Sequence, residues 1–163
     1  MAMRVFTTEP YGKRLMEKAP KLKRLLERYK VPVFITDEKD SVNAFLMYAM
    51  VSKDLSKSFI VIKERNLRIV GMTDEEVIAI LWHEAAHAIY HADEYEADRL
   101  VIDMTSFEIW KSAIRKINMC LQIRADEPEH PKYTHRDSLM IRGGVIHEAA
   151  GNQADRRKPK STA

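Results

Sequence analysis

The chain has 163 residues, 45% of them hydrophobic and 31% charged, which suits one domain with a buried core and excludes fibrous, low-complexity and wholly disordered classes. Its 27 Lys and Arg against 24 Asp and Glu leave a formal charge of +3, too small a surplus to argue for a nucleic acid partner. The lone cysteine, Cys120, rules out an internal disulfide and a thiolate zinc finger. The longest apolar run, residues 44–51, is too short to span a membrane, and the N-terminal stretch lacks the apolar core of a secretory leader. A soluble, cytoplasmic protein is therefore expected.

In chain order, Lys13, Arg14, Lys18, Lys21, Lys23, Arg24, Arg28 and Lys30 interleave with Leu15, Met16, Leu22, Leu25, Leu26 and Tyr29. That spacing predicts short amphipathic helices interrupted near Pro20. No aromatic platform or glycine loop accompanies the charges, so they read first as a solvated outer face. Residues 31–37 have strand composition, with Pro32 at an edge or strand start. Residues 41–51 fit either a strand or a buried helix. Residues 58–63 form a strand by their Phe, Ile and Val content, and residues 65–71 are expected to continue or pair with it. Thr73, followed three residues later by Glu76, opens a helix with a capping box, and Val77, Ile78, Leu81, Ala85, Ala88 and Ile89 supply its buried side. Thr105 with Glu108 predicts another box and a helix from Ser106 to about Leu121. Past Gly143 the apolar periodicity ends, so residues 1–142 are expected as one domain and residues 143–163 as a flexible basic tail.

The capped helix carries His83-Glu84-Ala85-Ala86-His87. Residues four apart share a helix face, so both imidazoles can address a single metal ion, while Glu84 can reach a water at that ion without binding it. Zinc acidifies such a water, and a neighbouring carboxylate can take its proton and pass it to a leaving amine. A catalytic zinc needs a third protein ligand. In an unbroken helix Glu94 would lie about 10 Å past His87, out of reach, so its participation requires the chain to turn between Ala88 and Asp93. Asp93 followed by Glu96 supplies a reason to turn: a second N-terminal cap, starting a new helix at Glu94. On that helix Glu94, Ala97 and Asp98 share a face, so that Asp98 can support a ligand imidazole from behind. Asp93 and His91 remain rival third ligands.

Asn43-Ala44-Phe45, the strand Phe59-Ile60-Val61-Ile62, the segment from Met72 through His87, and Glu94-Tyr95-Glu96-Ala97-Asp98 together resemble the gluzincin peptidases, above all the HtpX-like and minigluzincin branch. Ala86 stands where that family usually has glycine, and its membrane-spanning segments are missing. The resemblance implies an α+β, zincin-like fold, a small mixed sheet packed on the HExxH helix with a helical C-terminal part. It implies His83, His87 and Glu94 as ligands of Zn2+, Glu84 as general base, Asp98 as their support, and Asn43, Ala44 and Phe45 lining extended substrate. His130-Pro131, with His135 and Arg136 nearby, is similar to a family segment whose donor stabilises an oxyanion. The function implied is zinc-dependent hydrolysis of a peptide or protein substrate; the alternative is a zinc-stabilised binding or assembly module without turnover.

Overall fold

The computed structural model describes residues 3–36, 47–54 and 57–125. In order they form β1 (Arg4–Val5), a 3-10 turn (Phe6–Thr8), α1 (Pro10–Lys18), α2 (Pro20–Arg28), β2 (Val33–Thr36), β3 (Met47–Met50), β4 (Phe59–Lys63), α3 (Glu64–Ile69), α4 (Asp74–Tyr90), α5 (Glu94–Met104) and α6 (Phe107–Ala125). The sheet runs β1-β2-β4-β3, with β2 parallel to β4 and the outer pairs antiparallel. The fold is therefore α+β with a small mixed sheet and mostly helical content. Among the described residues no helix is long and apolar enough to cross a membrane.

Each N-terminal helix begins on a proline, whose fixed φ and missing N–H suit a first helical position. The break expected near Pro20 is where α1 hands over to α2, and Leu15, Met16, Leu22 and Leu26 turn inward. Gly12 permits close approach of α1 to the preceding turn: a Cβ there would sit 1.8 Å from the Phe6 carbonyl oxygen. That atom is backbone and cannot swing away. Gly12→Ala is expected to cost about 3 kcal/mol, the upper end for overpacking, read as a lowered urea midpoint.

Strand alternation aims Val33, Ile35, Ile60, Ile62 and Met47 at one face, in registers that set Val33 beside Ile60 and Ile62 beside both Ile35 and Met47. That face joins the core to which α4 contributes Val77, Leu81, Ala85 and Ala88. Of the alternatives at residues 41–51, the described part is the strand β3. Residues 65–71 depart from expectation: they belong to helix α3 and its exit turn rather than a strand. The reason is topological, because β4 already has β2 on one side and β3 on the other and offers no free edge. The turn closes on Gly71, in the left-handed region at φ 62°.

Thr73 and Glu76 form the expected capping box. Glu76 is also buried, and accepts from Lys116 Nζ at 2.7 Å and Ser112 Oγ at 3.4 Å, tying α6 to the start of α4. Burial pushes its carboxyl up, but Lys116 and Thr73 outweigh that and hold it below the usual range. The cap of α6 lies one residue beyond expectation. Thr105 Oγ1 turns back to donate to Val101 O at 2.7 Å, so Ser106 Oγ receives the Ile109 N–H instead.

Candidate metal centre

Helix α4 stops at Tyr90 because His91 adopts the left-handed conformation (φ 50°, ψ 33°), which a non-glycine residue adopts at some cost. Asp93 then caps α5 in a reciprocal box, its Oδ1 accepting the Glu96 N–H at 2.8 Å. These two local choices reverse the chain, and they bring Glu94 back over the histidine pair. His83 Nε2 and His87 Nε2 lie 3.0 Å apart. The Glu94 carboxylate sits 3.0 Å from His87 Nε2 through Oε1 and 3.3 Å from His83 Nε2 through Oε2. A tetrahedral ion with bonds of about 2.0–2.1 Å holds its ligand atoms about 3.3–3.4 Å apart, so small outward shifts let these three side chains hold a metal ion. His83 is buried and His87 half-buried, whereas the Glu94 side chain is 58% exposed, so the group opens to solvent past Glu94.

Behind the ligand atoms each imidazole is held by its other nitrogen. His87 Nδ1 donates to Ala92 O at 2.8 Å, in the very turn between the helices, which leaves Nε2 as its free ligand atom. His83 Nδ1 lies 3.0 Å from Asp98 Oδ1, an ion-pair approach rather than a linear hydrogen bond. Burial disfavours charge on His83, yet Asp98 and Glu94 reverse the balance and the imidazole is pushed up to about 9. His87 is likewise raised, with burial opposed by Glu94. Burial, reinforced by Glu94, pushes the Glu84 carboxyl up against the pull of the two imidazoles, and the Ala49 backbone N–H is bonded to it.

The residues expected to ligate or support a metal meet at one point: His83, His87, Glu94 and Asp98 converge, and Glu84 stands next to His83 facing β3. Of the rival ligands, Asp93 is spent on the cap and His91 is exposed at the turn. Asn43, Ala44, Phe45, His130, His135 and the tail at 143–163 lie outside the described residues. Sequence reasoning missed one contributor. Trp110 reads as core filler and is 2% exposed, but its indole also stacks on the His83 ring, centroids 5.2 Å apart at 25°. No local pattern announces this, because the contact joins α6 to α4 across the core. Trp110→Ala should cost about 3–5 kcal/mol in unfolding free energy, with Trp110→Phe recovering much of it in urea melts.

A protein-family model, a curated protein or a solved structure that matches the chain was found in none of three comparisons. The chemistry of the site follows from its own residues.

Proposed function

We propose that the chain is a zinc-dependent peptidase of the gluzincin type, zincin-like in fold, acting on a peptide or protein substrate. The observation that carries the reading is the convergence of His83, His87 and Glu94 with the carboxylate of Glu84 beside them. Two imidazoles and one carboxylate are a donor set that suits zinc over the harder, oxygen-seeking cations. Bound there, such an ion polarises a carbonyl and acidifies a water.

The rest falls to the chain's own groups. Glu84, raised by burial, takes a proton from the attacking water and returns it to the departing amine. The Ala49 N–H fixes the orientation of that carboxylate. Ala92 and Asp98 hold the imidazoles. Strand β3 ends the sheet among the described residues, and Met50 at its end and Val51 just past it are 50% and 46% exposed. An extended peptide can pair with such an edge by backbone hydrogen bonds beside Glu84. The test is a mass-spectrometric screen of a peptide mixture with the full chain. Cleavage abolished by chelator and restored by zinc is expected; zinc retained stoichiometrically with no cleavage would leave the binding module instead.

A further inference from the structure

We propose that the outer face of α2 is a docking surface for an acidic polypeptide segment, separate from the metal centre and independent of whether the chain hydrolyses peptides. Leu22 and Leu26 anchor one side of this helix in the core. Lys21, Arg24 and Arg28 fall within about 60° of arc on the opposite side and span about 10 Å of its axis. Their electrostatic situation differs from that of their neighbours. On α1, Arg14 and Lys18 both pair with Asp74, at 3.1 and 2.8 Å. Within α2, Lys23 approaches Glu27 at 3.8 Å. Among the described residues no carboxylate pairs with Lys21, Arg24 or Arg28. The same three cations, with Leu25 and Glu27, share one open stretch of surface.

The form of the patch selects its occupant. An extended peptide presents same-side residues about 6.8 Å apart, so two or three acidic side chains on one side cover the row. Half-buried Leu25 offers an apolar contact between them. Glu27 on the same surface argues against a nucleic acid, whose backbone carries charge at every residue, whereas a peptide can set a neutral side chain there. The nearest aromatic ring offers no stacking platform either. Arg28 covers Tyr29 at 5.6 Å, and the Tyr29 ring meets Tyr90 edge-on at 6.4 Å. Three cations are also fewer than the four to eight or so that mark an anionic membrane site. Through Tyr90, one turn beyond His87, the surface abuts the end of the helix that carries the metal ligands.

The probe is a fluorescein-labelled peptide alternating Glu with Leu, titrated with the full chain and followed by anisotropy. We compare K21E/R24E/R28E with K13E/K57E/R68E, which changes net charge equally at exposed cations elsewhere. The Gln triple at 21, 24 and 28 is the milder variant, and circular dichroism verifies folding of all three. Expected is saturable binding that weakens about tenfold or more in both α2 variants, changes little in the control, falls with added salt and persists in chelator. The proposal is overturned by absent binding, by equal loss in the control, or by loss on chelation, which would move the site to the metal centre. Tighter capture of oligo-dT or phosphatidylserine vesicles through the same residues would also overturn it.

Discussion

Glu84→Gln is expected to leave metal content unchanged and to lower the rate of peptide cleavage by about 10²–10⁴-fold, the span attributed to a positioned general base. The side chains that converge as ligands are His83, His87 and Glu94, so the substitution removes no ligand. It also keeps the size of the group and an oxygen to accept the Ala49 N–H. What it removes is the capacity to take a proton. Glu84→Asp keeps that capacity but draws the carboxylate back by one methylene, and should fall between the two. The measurements are turnover on the best peptide from the screen and zinc per chain by atomic absorption. A Gln variant with wild-type turnover would remove Glu84 from the chemistry, and one stripped of metal would show that Glu84 serves the site structurally.

What the chain discloses before folding is largely its local chemistry. The boxes at Thr73 and Asp93 are short-range patterns, each a side chain reaching its own helix terminus, and both form where their spacing puts them. The second matters most, because it ends the reach of α4 and makes Glu94 available. Yet the left-handed residue that completes the reversal is His91, not the Gly or Asn that sequence rules favour. Packing of α5 against α4, eased by the fully buried Ala97, supplies what propensity does not. Long-range facts stayed hidden for the same reason. Residues 65–71 look like strand until β4 is seen to have both edges filled, and Trp110 looks like filler until α6 crosses over His83. Two-residue β1 carries too little sequence to declare itself, and is held by pairing Arg4 with Ile35 and Val5 with Phe34.

Glu94→Ala should lower zinc affinity by more than the roughly 10–100-fold typical of an outer-shell change, and Asp98→Asn should fall within that range. The ranking follows from position: Glu94 approaches both Nε2 atoms, whereas Asp98 meets His83 at its rear nitrogen. Acidity supplies a second signature. Without metal, burial opposes charge on His83, but Asp98 and Glu94 prevail and raise the imidazole from 6.5 to about 9. A ligand nitrogen must shed its proton, so zinc affinity should climb as pH rises towards about 9. The stability of the metal-free fold should move the other way. A raised pKa means that the folded state holds its proton more tightly, so this contribution is complete below about 6.5 and is lost as pH rises through about 9. Removing Glu94 takes away one of the carboxylates that raise both histidines, so the pH dependence of binding should shift to lower pH while affinity falls. Competition titrations against a chromophoric chelator across that pH range, paired with urea melts in chelator, read the two trends separately. Unchanged affinity in Glu94→Ala would return the third ligand to Asp93 or His91, and parallel rather than opposed pH trends would show that the carboxylates do not control the charge of His83.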